Sequence, residues 1–405
     1  MYQNQFGFRS KHSTTLAMIE LVDQIYQNLD NKKYVIGIYL DLQKAFDTVD
    51  HNILLDKLTS YGIRGIALEW FKNYLDNRVQ YTMVNNCTSN LRNVKYGVPQ
   101  GSILGPLLFL LYVNDINCAV GGNKLKLFAD DTNLFLYDNN FDNLISQANH
   151  DLQHLHQWFV ANRLSLNIAK TCYSIFNPFK KSVTPSSKIE INGCELKQEK
   201  CCKYLGILLD DDLTWSSHIN YVYNKLLKFT GLFYSIRKNL TPECLKALYF
   251  ALIYPHLNYA IELYGSATFQ NMNPLQILQN KILRILQQKP LHSRVNELYS
   301  NFQTFKLHAL CELNLLKLTH KIIHEPSQLP EIFHNYLIFN QDIHTYNTRH
   351  RNDIFVHQIN SGFGAKTFKF RSHQLWNSLP NHIKDTTSLY QFSKLTKAYY
   401  RSNYI

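Results

Sequence analysis

The sequence contains no long apolar run. Residues 107–113 form one of its longest uninterrupted hydrophobic stretches, far short of the ~20 residues that a membrane-spanning helix needs. The opening segment, MYQNQFGFRSKHSTT, holds no apolar core of the kind a secretory signal carries. None of the eight cysteines forms a C-x-x-C pair. That argues against both a zinc ribbon and a disulfide framework, and scattered thiols suit a reducing compartment. There is no internal repeat and no low-complexity segment. Charged residues are few, 18% against 45% hydrophobic in a chain of 405, which is a globular composition with enough apolar side chains for two or three domains. His320 and His324 share a helical face, but only Cys311 and no carboxylate pattern accompanies them, so an ordinary helix face explains them better than a metal.

The charge that is present is unevenly placed. Of a net +12, residues 1–212 contribute nothing, with 21 Lys+Arg against 21 Asp+Glu, while residues 213–405 carry 21 against 9. A neutral front and a basic rear suit a catalytic core joined to a surface that holds a polyanion. A basic, soluble helical domain would have the same asymmetry, so charge alone leaves both open.

Hydrophobic periodicity divides the chain in the same place. Residues 13–30 read as a helix capped by Ser13 or Thr14, and 34–41 as a buried strand. Helical stretches follow through Leu58 and over 66–75, and a buried helix over 104–116 stands behind a Gly/Pro-rich turn. KLKLFADDTNLFLYD (124–138) reads as a hairpin and 141–159 as an amphipathic helix. Short strands are expected at 163–168, 172–176 and 204–209, with 177–188 as a loop and Asn192-Gly193 as a type I′ turn. Beyond residue 215 the pattern is helical, with Pro242 and Pro274 each expected at a first helical position and Pro255 as a break. The fold class is therefore α+β: an antiparallel sheet with helices in front and a helical region behind.

Three aspartates carry the chemical interest. Asp41 ends the apolar strand, and Asp130 and Asp131 occupy the hairpin tip. Singly, each is ordinary turn or strand-end chemistry. Their setting is more specific: QFGFRSKHSTTLA (5–17), IYLDLQKAFDTVDH (38–51), GVPQGSILGPLLFLLYVNDI (97–116), LFADDTNLF (127–135), LSLNIAKT (164–171) and KYLGILLDDDLTW (203–215) occur in that order. In order and spacing these segments resemble the reverse-transcriptase domain of non-LTR retrotransposons, most closely the jockey-like group. ELYGSATFQNMNPLQILQNKILRIL (262–286) resembles the family's thumb-side segment, and HTYNTRHRNDIF (344–355) with FRSHQLWNSLP (370–380) its C-terminal tail.

The resemblance implies a right-hand polymerase: partial fingers and palm over 1–215, a helical thumb over 216–300 and a basic C-terminal region over 301–405. It implies an RNA-directed DNA polymerase that joins dNTPs to a DNA primer on an RNA template, in the nucleus, where the family acts. Two Mg²⁺ (or Mn²⁺) ions would be held by Asp41, Asp130 and Asp131, with the Leu42 carbonyl as a further ligand, and would lower the pKa of the primer hydroxyl and grip the triphosphate. By the same resemblance Phe46 excludes a ribose 2′-hydroxyl, Gln100 and Gly101 meet the incoming nucleotide or template, Arg9 and Lys11 bind triphosphate oxygens, and Lys170 protonates the leaving pyrophosphate. Asp210, Asp211 and Asp212 are read as a solvated turn. In the rear half Lys225, Lys228, Arg237, Lys238, Lys281 and Arg284, interleaved with Tyr and Phe, form a candidate face for a primer–template. The chain opens almost at the QFGFR motif, so the upstream endonuclease and front finger strands of full family members are expected to be missing. That keeps a second reading in play, a catalytically defective nucleic-acid-binding relic. The third, an intron-type maturase, is opposed by the HQLWNSLP segment.

Overall fold

β-branched and aromatic residues fill YVIGIYL without a single charge, and this segment forms β1 (Tyr34–Leu40), buried over six of its seven residues as a strand covered on both faces should be. In the computed structural model, which describes residues 1–122, 124–179, 187–334, 336–343 and 351–404, β1 is the middle of a five-stranded sheet. The others are β2 (Leu125–Phe128), β3 (Asp131–Asp138), β4 (Cys172–Phe176) and β5 (Lys197–Gln198), in the order β5-β4-β1-β3-β2. All neighbours are antiparallel except β5 beside β4. The sheet belongs to the first of two compact units, Met1–Ala17 with Lys33–Glu199; the second is Met18–Lys32 with Lys200–Ile405. The α+β expectation holds, with the sheet mixed at one edge.

The first unit's core is built by apolar stripes at helical spacing. In Phe141–Ala161, Leu144, Ile145, Ala148, Leu152 and Leu155 are all buried and join Ile36, Ile38, Leu134 and Leu136 in one cluster; each buried leucine contributes about 2 kcal/mol. Asn140 starts this helix by accepting from the amides of Asp142 and Asn143, and Asp50 starts His51–Ser60 in the same way through Asn52 and Ile53. The helices Ile66–Leu75 and Leu104–Val113 also form where the periodicity puts them. Asn192 and Gly193 have φ of 51° and 72°, the left-handed pair that a type I′ turn requires. The expected strand over 163–168 is reduced to one isolated bridge, Leu166 to Leu42. Its polar neighbours divert the chain: Asn167 accepts from the amides of Lys170 and Thr171 and from the Thr171 hydroxyl, a turn that removes the segment from any ladder. Part of the expected 177–188 loop and part of the 344–355 segment lie outside the described residues.

In the second unit the single strand expected over 204–209 is a hairpin, Cys201–Tyr204 with Ile207–Asp210. Leu205 at φ 43° and Gly206 at φ 86° make its turn, so Gly206, inside an apolar run, marks a reversal rather than a continuation. Long helices follow, including Ser216–Ile236, Phe269–Leu286, Leu307–His324 and Leu389–Tyr404. Pro242 is at the first position of its helix, behind a Thr241 cap, as expected. Pro274 is not: the helix starts earlier, after Thr268, and contains the proline, because the surrounding stripe of Leu275, Leu278, Ile282 and Leu283 outweighs the one backbone bond that the proline cannot make. Pro255 follows a single π turn, Tyr249–Ile253, so the break is a local widening of the helix.

Two buried acids from Thr14–Asp30 hold the C-terminal region of this unit. Asp23 accepts from the Tyr336 hydroxyl at 2.6 Å and the Phe368 amide at 2.5 Å; burial lifts its carboxyl to about 6, against those hydrogen bonds. Asp30 accepts from the Asn360 and Gly364 amides and from both the amide and hydroxyl of Ser361, at 2.6–3.3 Å. An amide in place of Asp30 keeps an acceptor at Oδ1 but loses the charge that strengthens all four bonds, and sets an NH₂ against the Asn360 N–H that also reaches Oδ2 at 3.1 Å. Asp30→Asn is therefore expected to cost about 2 kcal/mol or more in urea unfolding and to speed hydrogen exchange at the amides of residues 360, 361 and 364.

Glu262 gives a second test. Burial raises its carboxyl to about 7, with Arg371 opposing, and its Oε2 has no hydrogen-bond partner among the described residues. A carboxyl raised in the folded state stabilises fully below its ordinary pKa, and that contribution is lost as pH climbs toward 7. Glu262→Gln removes this loss. Relative to the parent, the variant should gain on the order of 2 kcal/mol between pH 4.5 and pH 8 in thermal melts; a constant difference would contradict the assignment.

Candidate active site

The position of Asp41 follows from the ladder. Leu40 pairs with Thr132 across β1 and β3, so the next residue of β1's chain, Asp41, comes level with Asp131, the residue before Thr132. Phe128 pairs with Asp131 across the hairpin, leaving Ala129 and Asp130 as a two-residue turn, with Ala129 at φ 57°. The three aspartates are thus backbone neighbours on one end of the sheet. Asp41 and Asp130 are half-buried and Asp131 is exposed.

The turn is held from the N-terminal segment. The side-chain carbonyl of Gln5 accepts from the amides of Ala129, at 3.0 Å, and Gly7, at 2.8 Å, and the Phe6 amide donates to the Leu127 carbonyl at 2.8 Å. A Cβ on Gly7 would come within 2.3 Å of the Ala129 nitrogen, so only glycine lets QFGFR run this close. Arg9 donates through Nη1 to the carbonyls of Tyr2 and Gln5, at 2.8 and 3.0 Å, bracing the same loop, and Lys11 is exposed beyond it.

Asp41 is held on its other side. Its carbonyl accepts from the Asn167 amide at 2.8 Å, the Gln43 amide donates to Ser165, and Leu42 bridges to Leu166. These bonds place Lys170 with its Nζ 3.9 Å from Asp41 Oδ2, the lysine side chain largely open to solvent and the aspartate's partly so. Phe46 follows on a short turn, Ala45–Asp47, half-buried, stacked on Phe109 at 4.4 Å and edge-on to Phe8.

The glycine-rich segment is laced to that turn. Val98 donates to the Phe46 carbonyl, Gly97 to that of Val49, and Gln100 Nε2 to the Asp47 carboxylate at 2.8 Å. Gly97 has φ 88°, and a Cβ there would lie 2.8–3.0 Å from the Asp47 backbone. Gly101, at φ 80°, faces open space, and Gln100 beside it is exposed. Sequence reasoning singled out Gln100 but missed Asp47, which orients it, Gln5, which braces the Asp130 turn, and Thr171, whose hydroxyl accepts from the Asp41 amide at 3.4 Å. All three lie inside the quoted motifs, yet a supporting hydrogen bond leaves no spacing signature.

The donors are chemically suited to a hard divalent cation: carboxylate oxygens at a strand end and a hairpin tip, with solvent access for the waters that Mg²⁺ retains. Among the described residues, however, no three His, Cys, Asp or Glu side chains are gathered closely enough to hold an ion. Asp210–Asp212 serve another purpose. Asp210 accepts from Thr214 and the Ser217 amide at the start of Ser216–Ile236, and Asp212 from the Thr214 amide. In the second unit Lys225, Lys228, Lys238 and Lys281 are exposed. Lys225 lies over Tyr221 and Arg237 over the exposed Tyr234, at 5.9 and 4.0 Å, and Arg284 is half-buried.

Residues 1–209 match the family model for reverse transcriptase (RNA-dependent DNA polymerase), and the chain belongs to that family. Among curated proteins it is similar to the probable RNA-directed DNA polymerase from transposon BS of Drosophila melanogaster, 32% identical over 73% of this chain and 34% of that one. It is also similar to the RNA-directed DNA polymerase from mobile element jockey of the same species, 28% identical over 75% and 34%, and to the probable polymerase from transposon X-element, 29% over 70% and 32%. The kinship read from the six motifs is thereby borne out. The chain spans about a third of the length of these relatives. Among solved structures, telomerase from Candida albicans is similar over 78% of this chain and 52% of its own, at 12% identity and a TM-score of 0.34, too distant to carry an argument.

Gly97 gives the test of the site's scaffold. Gly97→Ala adds a Cβ at positive φ against backbone, where nothing flexible can yield. It should lower stability by about 2 kcal/mol or more and shift the backbone resonances of residues 46–49, whereas Gly101→Ala, with open space before it, should leave those resonances in place.

Proposed function

We propose that the chain is the polymerising part of a mobile element's RNA-directed DNA polymerase, extending a DNA primer with dNTPs on an RNA template in the nucleus. The observation that carries the reading is the register that sets Asp41 level with the Asp130-Asp131 turn inside the segment matching the reverse transcriptase family. In this reading 1–215 holds partial fingers and the palm, 216–300 the thumb, and 301–405 a basic C-terminal region. Two Mg²⁺ or Mn²⁺ ions held by Asp41, Asp130, Asp131 and the Leu42 carbonyl would supply Lewis-acid activation of the primer hydroxyl and neutralise the triphosphate.

The chain's own groups do the rest. The 3′-hydroxyl gives its proton to solvent, its oxygen bonds to the α-phosphorus as the bond to pyrophosphate breaks, and Lys170, 3.9 Å from Asp41, gives a proton to the departing pyrophosphate. The ring of Phe46, backed by Phe109, stands against a 2′-hydroxyl and so selects deoxyribose. Gln100, held by Asp47, and the open backbone of Gly101 meet the nucleotide or template. Arg9 and Lys11 meet the triphosphate. The exposed cations and aromatic rings of Ser216–Ile236 bind phosphates and stack on bases of the primer–template.

The test is primer extension on an RNA template with Mg²⁺ or Mn²⁺. The parent should extend the primer, and EDTA should stop it. Asp130→Asn should lower the rate roughly 100-fold or more without changing the melting temperature. A parent that does not extend, or an Asp130→Asn protein as fast as the parent, would overturn the reading.

A further inference from the structure

The second unit contains a cavity of about 230 Å³ lined by the start of the helix Phe368–Asn377, the segment before it and the end of Thr14–Asp30. His373 lines it, is fully buried, and has no hydrogen-bond partner on either ring nitrogen among the described residues. A neutral imidazole always presents one N–H and one lone pair, and leaving both unmet in a core costs about 1–3 kcal/mol each. Such orphans in native proteins ask for a reason. Here a reason is beside them: the orphaned ring borders a space that also meets Lys369, the exposed His357 and the aromatic wall of Phe370.

The opposite wall is polar and uncharged apart from one group. Gln27 and Asn31, one turn apart on Thr14–Asp30 and just beyond it, bring side-chain amides that both donate and accept. The exception, Asp30, has its carboxylate bound by four neutral donors of residues 360–364, which draw its charge away from the cavity in part. A lysine and two imidazoles near an aromatic ring, opposite amides, are the groups that recognise a phosphate, a flat heterocycle and its edge together.

We infer that this cavity receives one nucleoside monophosphate unit, with the phosphate met by His373, His357 and Lys369 and the base set against Phe370 and read by Gln27 and Asn31. It rests on the polymerase reading only for the source of the ligand, an unpaired nucleotide of the RNA strand; a free nucleotide has the same chemistry. The site is separate from the aspartates, which lie in the other unit.

The experiment titrates the full chain with a fluorescein-labelled single-stranded RNA octamer, read by anisotropy, and with AMP, read by calorimetry. His373→Phe keeps a buried ring and removes both nitrogens, so a merely structural histidine would lose nothing and the melting temperature should hold or rise. With the site in use, AMP affinity should fall about tenfold in His373→Phe and in the exposed-site variant His357→Ala. If the octamer competes with AMP, the source is RNA; if AMP binds without competition, it is free nucleotide. No AMP binding by the parent, or equal binding by parent and His373→Phe, would overturn the inference. Asp130→Asn should bind AMP here as the parent does, and a parent that binds AMP but fails to extend the primer would count against the polymerase reading alone.

Discussion

One ladder register carries the site. Side chains alternate faces along a strand, so a slip of one residue between β1 and β3 would turn every one of them over. That slip is opposed by packing: Ile36, Ile38, Leu134 and Leu136 are committed to one core cluster, and on the other face the Phe135 ring lies over Gly37, where any Cβ would clash with it. Asp41 and Asp131 inherit their alignment from these apolar neighbours. The acidic end of the sheet is therefore positioned by hydrophobic packing several residues away, with Gln5 and Asn167 trimming the turn and the strand end by hydrogen bonds.

The second unit shows a different economy. Its interior admits Asp23, Asp30, Glu262, His218 and His373, all largely withdrawn from water. Burial pushes the acids Asp23 and Glu262 up and the imidazoles His218 and His373 down to about 4. Asp23 and Asp30 are matched by amides and hydroxyls from the far end of the chain, so their desolvation is offset by bonds that also fix the C-terminal region. Glu262 Oε2 and both nitrogens of His373 lack such partners among the described residues, and it is His373 that borders a cavity.

Much of this architecture was legible before any coordinates. Where one period persisted, as in YVIGIYL or in 141–159, apolar burial decided the element and the sequence reported it. The α+β class and the segments carrying Asp41, Asp130 and Asp131 followed from that. Failures came where a single residue's meaning depended on partners. Gly206 within an apolar run and Pro274 behind an asparagine each had two local readings, and tertiary packing chose the other one. Around 163–168 the Asn167 backbone carbonyl, accepting from the Lys170 and Thr171 amides and the Thr171 hydroxyl, closed a turn in a pattern that looked like a strand. The braces of the site, Asp47 and Gln5, were unreadable for a related cause: their contribution is an angle and a distance to residues far away in sequence.

The helix Thr14–Asp30 begins in one compact unit and spends most of its length in the other. Its interior residues Leu21, Val22, Ile25, Tyr26 and Leu29 are almost wholly buried, and the Tyr26 hydroxyl accepts from the Trp215 indole. Sequence order and spatial membership therefore disagree over this stretch. A fragment ending at residue 199 would keep the helix and lose the hairpin and helices of the unit to which it belongs, leaving an oily stripe in water. Soluble expression of the sheet by itself would call for a redesigned helix surface or a permuted chain, not a simple stop codon.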